Sequence, residues 1–335
     1  MIDQSHSPIH AAVEQFVREE LSQENAHIAG AVWSMLDAGG KQLRPRITML
    51  AGRAAAQSSP EDPVLASYME LIHVATLIHD DVLDNAGTRR GRQSTNRAYG
   101  NRFSVLAGDY LFSWVFKKIT IGYAPPVPTI LAAMLAEICN GEVKQLRAAG
   151  DLAMTPERYL EIIGKKTAEL FGSCAEVGAI NALLQAGKPS GPALRAETEV
   201  LALREFGRLF GLAFQIRDDL YDATASEAQL GKPAGSDLRE KKMTLPLIYA
   251  LADGGAGARE RVERLFAYDD PSDECAQNAL GAVVEMLRDR AVVERTTHAV
   301  QRYAGEALRA LAPLPQSAAR DELAGLARSL SAFSS

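Results

Sequence analysis

The amino-acid sequence predicts an all-α fold, and three observations carry that prediction. Alanine, leucine, glutamate and arginine dominate nearly every segment, and alternating runs of β-branched residues are absent. Clusters of glycine and proline separate the segments, as at Gly39-Gly40 and in the stretch Gly187 to Pro192. Apolar residues recur at helical spacing. The first segment shows such a stripe at Ile9, Val13, Phe16, Val17 and Leu21.

The composition is that of an ordinary globular protein. Of the 335 residues, 47% are hydrophobic and 23% charged, and the net charge is −6. That charge, with no dense basic stripe, argues against nucleic acid as a partner. Three scattered cysteines (Cys139, Cys174 and Cys275), no signal-peptide character and no long apolar run predict a soluble cytoplasmic protein without a transmembrane segment.

Local signals mark where predicted helices begin. Pro45 and Pro156 suit the first turn of a helix, and Thr155 suits the N-cap position directly before Pro156. Gly207 and Gly211, four residues apart, predict that another backbone approaches closely. The segment from Arg259 to Ser331 reads as amphipathic helices without recognisable chemistry. The earlier helices are predicted at Ile9 to Leu21, Ala26 to Leu36, Pro45 to Ala55, Leu65 to Asp84, Ser104 to Ile121, Ile130 to Arg147, Thr155 to about Leu184, Glu197 to Asp222 and onward from Thr244.

Two of these helices end in the same acidic pattern. Apolar stretches close on Asp80, Asp81 and Asp84, and again on Asp218, Asp219 and Asp222. At about 100° per residue, positions i, i+1 and i+4 fall within roughly a 100° arc of a helix. Carboxylates crowded on one face repel unless a cation binds them, and Mg²⁺ is usually held by carboxylates together with a substrate phosphate. Two such helices facing each other would suit a ligand with a polyphosphate head and an apolar tail.

Two neighbouring features have competing interpretations. The loop after Asp84 carries Arg89, Arg90 and Arg92, which could pair with the aspartates or bind an anionic ligand. A third acidic run, Asp269 to Asp273, contains a proline and lacks the apolar stretch, so a helix N-terminus explains it.

Taken together, the motifs resemble those of the trans-isoprenyl diphosphate synthases, also called the polyprenyl synthetase family. The resemblance covers about residues 39–246. It is carried by Gly39-Gly-Lys-Gln-Leu-Arg-Pro45, Leu71-Ile-His73, Asp80-Asp-Val-Leu-Asp84, Arg89-Arg-Gly91, Lys166-Thr167, Phe214 to Asp222, Gly231-Lys232 and Lys242-Met-Thr-Leu-Pro246. Small departures from the family pattern are Gln42, Ser236 and the run Glu240-Lys-Lys242.

The resemblance implies a fold, a reaction and partners. The fold is the all-α isoprenoid synthase fold, in which helices surround a large central cavity, with one domain spanning 1–335 and C-terminal helices at 259–331. The enzyme is a prenyltransferase that joins isopentenyl diphosphate head-to-tail to an allylic diphosphate, assisted by Mg²⁺, and it is usually a homodimer.

Residue roles follow from the same resemblance. Asp80, Asp84 and Asp218 would ligate Mg²⁺, with Asp81, Asp219 and Asp222 as supporting partners. The isopentenyl diphosphate would be held by Lys41, Arg44, His73 and Arg90. The allylic diphosphate would be held by Arg89, Lys166, Thr167, Gln215 and Lys232. Lys166, Thr167 and Gln215 are also the catalytic candidates, because a hydroxyl and an amide oxygen stabilise a carbocation without capturing it.

Product length is expected to depend on Ala75 and Thr76. They precede Asp80 by five and four residues, about 6–8 Å down the helix at about 1.5 Å per residue. Short-chain relatives carry bulky aromatics there, so these small residues predict a product longer than C15, such as a C30–C50 quinone-type tail. Trp114, Phe112, Phe116 or Met134 could form a deeper floor.

Other readings remain. Geranylgeranyl diphosphate synthesis is the runner-up. A terpene cyclase would not need the elements around Lys41 and Arg90, which serve a second diphosphate. A catalytically silent subunit of a heteromer would typically lose one aspartate cluster, and both are intact here.

Overall fold

The structure is a computed structural model that describes residues 26–37, 41–57, 62–89, 92–224, 235–268 and 273–332. The predicted helix from Ile9 to Leu21 lies outside these residues. In chain order the elements are α1 (Ala26–Asp37), α2 (Leu43–Ala55), α3 (Pro63–Leu83), β1 (Thr88–Arg89), β2 (Arg92–Gln93), α4 (Thr95–Tyr99), α5 (Asn101–Gly122), α6 (Val127–Ala148), α7 (Pro156–Ile163), a π-helix (Gly164–Ala168), α8 (Glu169–Gln185), a 3₁₀ helix (Pro192–Ala196), α9 (Thr198–Thr224), α10 (Ser236–Arg239), α11 (Leu245–Phe266), α12 (Glu274–Leu287), α13 (Arg290–Ala310) and α14 (Ala318–Ser331).

The all-α prediction is confirmed, and each helix predicted within the described residues has a counterpart within a few residues of its expected position. The helix predicted from Thr155 is divided into α7, the π-helix and α8, and the predicted loop from Ala223 to Lys242 contains α10. The predicted loop from Asn85 to Asn96 contains a short antiparallel hairpin. In it Thr88 pairs with Gln93 and Arg89 with Arg92. Ser94 closes the hairpin by donating its hydroxyl hydrogen bond to the carbonyl oxygen of Ala86 at 2.6 Å. Turn-rich sequence with two-residue strands gives no alternating pattern from which such a hairpin could be predicted.

The described residues group into two compact units. Unit 1 comprises the described parts of Met1–Ala132, Ser173–Arg204 and Pro313–Leu323, and unit 2 those of Ala133–Gly172, Glu205–Ala312 and Ala324–Ser335. The single domain and the central cavity that the resemblance implies stay predictions, as does the expectation that the two acidic helices face each other. None of the helices in the described ranges is long and apolar enough to cross a membrane.

Within unit 1 the first acidic helix, α3, is the central element. It begins where Asp62 accepts a hydrogen bond from the backbone N–H of Leu65 at 2.8 Å, with Pro63 in the first turn. It packs against α2 and along α5. Its buried side includes Leu71, Ile72 and Ile78, each 0% exposed. Burial of this apolar side orients the acidic end of the helix.

Within unit 2 the second part of α9 packs against the chain around the π-helix. A Cβ atom on Gly207 would lie 2.4 Å from the carbonyl oxygen of Phe171, and one on Gly211 would lie 2.6 Å from Cα of Ala168. The close backbone approach predicted from these two glycines is therefore confirmed. Its consequence is that residues just before Ala168 lie beside the acidic end of α9. Elsewhere in the unit, α11 packs against α12 and α13.

Candidate active site

The first acidic cluster divides into accessible and buried carboxylates. Asp80 and Asp84 are partly exposed, whereas Asp81 is 0% exposed. Asp84 is the C-terminal cap residue of α3. Helical spacing predicts that all three carboxylates share one face, but one residue of rotation carries Asp81 into the packed side of the helix.

An arginine from the hairpin holds Asp81. The guanidinium of Arg89 donates from Nε and from one terminal nitrogen to Oδ1 of Asp81, at 2.7 and 2.6 Å. Burial raises the pKa of Asp81 above its ordinary value, and the charge and hydrogen bonds of Arg89 oppose that rise. Of the two interpretations left open for the arginine loop, Arg89 shows the pairing with an aspartate. Arg90 lies outside the described residues.

Further down α3 are the residues expected to bind isopentenyl diphosphate and to gate product length. The hydroxyl of Thr76 donates to the carbonyl oxygen of His73 at 2.7 Å and lies 3.4 Å from its Nδ1. Because that hydroxyl has one proton, the longer contact needs a proton on Nδ1. Ala75 is 0% exposed, whereas Thr76 is partly exposed. Thr76, four residues before Asp80, is thus the more accessible of the two gate candidates.

Aromatic rings cluster around the N-terminal half of α3, near Tyr68. The ring of Trp114 meets that of Tyr68 edge-on at 5.7 Å, and the Tyr123 ring meets Tyr68 at 6.3 Å. Trp114 was a candidate for the floor of the product cavity. Tyr68 was not singled out in the sequence, because a lone tyrosine in an apolar helix carries no distinguishing signal.

The start of α2 carries the remaining isopentenyl diphosphate candidates of unit 1. Lys41 is exposed just before the helix, and Arg44 is partly buried in its first turn. Between them Gln42 adopts a left-handed backbone conformation with φ of 43°, an uncommon state for a residue with a side chain. The preceding Gly39 and Gly40 lie outside the described residues.

In the second acidic cluster, at the end of α9, one carboxylate is exposed and two are buried. Asp218 is exposed, while Asp219 and Asp222 are 6% and 5% exposed. Asp222 accepts hydrogen bonds from the hydroxyl of Ser236 at 2.7 Å and from the backbone N–H of Asp237 at 3.1 Å. It therefore fastens the first turn of α10 to the end of α9. This contact gives Ser236, noted as a departure from the family pattern, a structural role.

Asp219 lies at the centre of a hydrogen-bonded chain. It accepts from the hydroxyl of Tyr159 at 2.7 Å and from Nε2 of Gln215 at 2.7 Å. The amide oxygen of Gln215 accepts in turn from the hydroxyl of Thr167 at 2.9 Å. Burial raises the pKa of Asp219 to about 7, against the lowering effect of its two donors. The structure thus joins both uncharged catalytic candidates to the second acidic cluster.

The catalytic candidates Lys166 and Thr167 lie on the π-helix. Single π-turns inside α-helices are frequent at functional sites. The π-helix packs on α6 where Gly141 leaves room, since a Cβ there would lie 2.6 Å from the backbone nitrogen of Lys166. The ammonium of Lys166 pairs with Glu142 at 2.5 Å, with side chains 18% and 16% exposed. The neighbouring Lys165 pairs with Glu137.

Three further predictions concern Lys232, Lys242 and the third acidic run. Lys232 lies outside the described residues, and Lys242 pairs with Glu240. In the third acidic run, Asp273 caps α12 by accepting from the backbone N–H groups of Cys275 and Ala276 at 2.7 and 3.3 Å. The interpretation of that residue as part of a helix N-terminus is confirmed.

Tyr159 and Glu142 are contacts that the sequence did not reveal. Tyr159 lies seven residues before Lys166, in a helix with no motif, and only the tertiary packing brings it to Asp219. Glu142 follows Gly141 in α6, and an acid after a glycine is too common to be informative.

The aspartates of the two acidic clusters are the candidate metal ligands. Among the described residues, no group of three or more His, Cys, Asp or Glu side chains has the arrangement of a metal site. The donor chemistry of the exposed or partly exposed Asp80, Asp84 and Asp218 nevertheless suits a hard cation, because carboxylate oxygens are the ligands that Mg²⁺ prefers.

Comparison with known proteins gives consistent matches over almost the whole chain. A family model described as polyprenyl synthetase matches residues 25–283. Heptaprenyl diphosphate synthase component 2 of Geobacillus stearothermophilus is 37% identical, over 95% of this chain and 93% of the relative. Octaprenyl diphosphate synthase of Escherichia coli is 33% identical, over 95% and 93%. The crystal structure of a polyprenyl synthase from Caulobacter crescentus, complexed with calcium and isoprenyl diphosphate, is similar with a TM-score of 0.84 at 34% identity, covering 96% of this chain and 94% of that one.

Proposed function

This chain belongs to the polyprenyl synthetase family, and we propose that it elongates an allylic diphosphate by repeated head-to-tail addition of isopentenyl diphosphate. It is a prenyltransferase that makes an all-trans polyprenyl diphosphate. The observation that carries the proposal is the division of both acidic clusters. Asp81, Asp219 and Asp222 are buried and held by protein groups, whereas the other three carboxylates are accessible to a ligand.

We propose Asp80 and Asp84 of unit 1, and Asp218 of unit 2, as ligands of Mg²⁺. Bound Mg²⁺ would neutralise the charge that grows on the diphosphate as its C–O bond breaks. The buried aspartates would hold the helix ends in place. The Caulobacter relative contains calcium and an isoprenyl diphosphate, and calcium, like Mg²⁺, takes oxygen ligands. The proposal for this chain rests on its own accessible carboxylates.

The protein's side chains would bind both diphosphates and protect the cation. Lys166, Arg89 and Lys232 would bind the allylic diphosphate, and Lys41, Arg44, His73 and Arg90 the isopentenyl diphosphate. The oxygens of Thr167 and Gln215 would stabilise the allylic cation electrostatically. Lys166 would exchange its contact with Glu142 for one with the diphosphate, a choice that a flexible lysine allows.

The product is proposed to be longer than the farnesyl stage. Two of the relatives are named for heptaprenyl and octaprenyl products, and Ala75 and Thr76 carry no bulk that would stop a chain near Asp80. Geranylgeranyl diphosphate is the shorter alternative.

A homodimer is the proposed assembly. The outer side of α5 exposes large apolar side chains, with Leu106 64% and Ile121 76% exposed, and burial against a second copy would remove them from water. The Geobacillus relative is named as a component, so a two-component enzyme is the alternative. Light scattering together with an activity assay of the purified chain alone distinguishes them, because a lone component would be inactive. The single domain and the cytoplasmic location stay predictions.

The reaction is tested with the purified full chain, isopentenyl diphosphate, farnesyl diphosphate and Mg²⁺, followed by mass analysis of the products. We expect prenyl diphosphates longer than the primer. Asp80→Asn and Asp218→Asn should each lower the rate by about 100-fold or more, because an oxygen ligand loses its charge. Asp273→Asn is the matched control, since asparagine caps a helix equally well.

Product length is tested by Ala75→Phe and Thr76→Phe. Each should shorten the product if its position borders the growing chain. An unchanged product from both variants would reject the proposed gate, and an absence of any prenyl product from the unaltered chain would reject the function.

A further inference from the structure

We propose that Tyr159 and Asp219 are positioning residues that fix which end of the Gln215 amide faces the reacting carbocation. The proposal rests on the proposed function, in which Thr167 and Gln215 lie beside the allylic substrate. It adds a residue, Tyr159, that no motif marks. The geometry that supports it is a continuous hydrogen-bonded chain from α7 through α9 to the π-helix.

The hydrogen-bonded chain consists of four residues joined by three short contacts. Tyr159 donates to Oδ2 of Asp219 at 2.7 Å, and Gln215 donates from Nε2 to Oδ1 at 2.7 Å. Thr167 donates to Oε1 of Gln215 at 2.9 Å. Both carboxylate oxygens are therefore engaged, one by the phenol and one by the amide. Tyr159 and Asp219 are only 3% and 6% exposed, so protein groups rather than bulk water set these contacts.

The direction of each hydrogen bond is dictated by chemistry. The two ends of a glutamine amide have similar shapes, and only the hydrogen-bond partners decide which end points where. Both oxygens of Asp219 accept, Oδ2 from Tyr159 and Oδ1 from Gln215, so Asp219 selects the NH₂ end of Gln215. The oxygen end is left facing Thr167, whose single hydroxyl proton is directed toward it. If Gln215 turned over, its oxygen would face a carboxylate oxygen and its NH₂ group would face the threonine.

The orientation matters because the two amide ends carry opposite partial charges. A carbonyl oxygen near an allylic cation stabilises it, whereas an NH₂ group there would repel it. Thr167 donates its hydroxyl proton to Gln215, and this donation does not use the lone pairs of Oγ1. Those lone pairs therefore stay available to stabilise the cation. The hydroxyl of Tyr159 contributes without contacting the substrate, because it keeps the Asp219 carboxylate turned toward Gln215.

The surrounding backbone is packed closely enough to hold this arrangement. Gly211 lies one helical turn before Gln215 and meets Ala168, the residue that follows Thr167, with no room for a Cβ. The distance from Thr167 to Gln215 is therefore set by contact between backbones. Preorganised dipoles of this kind need no rearrangement when charge develops.

A second tyrosine–aspartate pair provides a matched control. Tyr123 donates to Oδ2 of Asp62 at 3.0 Å, and Asn181 also donates to that oxygen at 3.0 Å. Like Tyr159, Tyr123 is a phenol held by a carboxylate that has an amide donor. Its aspartate caps α3, 18 residues before Asp80 along the helix, and is not linked to Gln215 by these contacts.

The experiment measures kcat, both KM values, the Mg²⁺ concentration for half-maximal rate and the melting temperature of the full chain. The variants are Tyr159→Phe, Gln215→Leu, the double variant and Tyr123→Phe. Tyr159→Phe should lower kcat roughly 5- to 50-fold, the loss expected for one buried hydrogen bond that acts in the transition state. Both KM values and the Mg²⁺ requirement should stay within about twofold, because neither substrate nor metal is contacted. Tyr123→Phe should leave kcat within about twofold.

The double variant tests whether Tyr159 acts through Gln215. If it does, the double variant has the kcat of Gln215→Leu alone, because the orientation of an absent amide no longer matters. Two outcomes would overturn the positioning role of Tyr159 and leave the proposed function intact. One is a kcat loss in the double variant equal to the product of the two single losses. The other is equal kcat in Tyr159→Phe and Tyr123→Phe while Gln215→Leu is slow. An unaltered kcat in Gln215→Leu would instead contradict the catalytic role of Gln215 in the proposed function, and the positioning role of Tyr159 with it.

Asp219→Asn covers the case in which Tyr159→Phe does not fold. The replacement has nearly the same shape, but its own amide can donate to Oε1 and allow Gln215 to turn over. A folded Asp219→Asn protein should therefore have a reduced kcat. Turnover at the wild-type rate would overturn the proposal.

Discussion

The two acidic clusters have the same sequence pattern, yet their central aspartates are held in opposite ways. In unit 1, Asp81 is paired with the full positive charge of Arg89. Among the described residues of unit 2, the donors to Asp219 are the neutral Tyr159 and Gln215. Burial raises the pKa of both carboxyl groups, and the pKa of Asp219 reaches about 7.

The difference shows that one motif can serve two local purposes. The charged pair fastens a hairpin, whose second arginine follows Arg89 directly in the sequence, to the end of α3. The neutral donors connect the cluster to Thr167 and Gln215 instead. An arginine in place of Tyr159 would add a positive charge beside the proposed carbocation, which would oppose its formation. The neutral partners are therefore what the chemistry of the second cluster favours.

The largest predicted effect comes from breaking the charged pair. Arg89→Met should lower the free energy of unfolding by about 3–5 kcal/mol, because Asp81 would remain buried without its cation. The measurement is urea unfolding of the full chain. Arg92→Met, in the exposed strand β2, is the control and should change stability by less than about 1 kcal/mol. Equal stability of the two variants would mean that the pair contributes nothing.

The second prediction concerns glycine, which α9 uses and α3 lacks entirely. Gly211→Ala should destabilise by about 2 kcal/mol, because its Cβ would meet Ala168 at 2.6 Å and force the helices apart. Gly281→Ala in α12 is the matched control, since nothing lies within 4 Å of a Cβ there. It should stabilise by up to about 1 kcal/mol through helix propensity. Thermal unfolding of both variants measures the difference, and a neutral Gly211→Ala would contradict the close contact.

The same glycines show how far the sequence could predict the structure. The spacing of Gly207 and Gly211 was sufficient to expect a close backbone contact, and apolar periodicity placed the helices. The motifs also located both acidic ends. Local patterns determine these features, so a single sequence contains the information.

What the sequence missed depends on packing between distant segments. Nothing near Tyr159 signals its contact with an aspartate 60 residues later. The burial of Asp81 follows from the neighbours of α3, which helical spacing alone does not describe. The π-helix around Thr167 also escaped notice, because its residues read as ordinary helix. Such contacts appear only once the elements are assembled.

The third prediction separates the clusters by pH. The folded pKa of Asp219 is about 7, against 3.8 for an ordinary aspartate. Between these values the folded state keeps a proton that the unfolded state has lost, so the stabilising contribution of Asp219 is greatest at low pH and is lost as pH rises through about 7. Asp81 contributes with the same sign.

Asp219→Asn should remove part of this pH dependence. The unfolding free energy of metal-free wild-type protein should fall by on the order of 1–2 kcal/mol between about pH 5 and 8, and the variant should show a flatter profile. Asp273→Asn, which alters an exposed helix cap, should retain the wild-type slope. If Asp219→Asn also keeps that slope, Asp219 is not the group that titrates.

The smallest predicted effect concerns the last aspartate of each motif. Asp84 ends its helix as a cap residue, whereas Asp222 fastens α10 through Ser236. Ser236→Ala should cost about 0.5–1 kcal/mol, because the backbone N–H of Asp237 still donates to Asp222 and keeps the carboxylate partly satisfied. Urea unfolding measures the change, with Ser113→Ala on the exposed side of α5 as the control. A loss much above that range would mean that the hydroxyl, rather than the backbone, holds α10 in place.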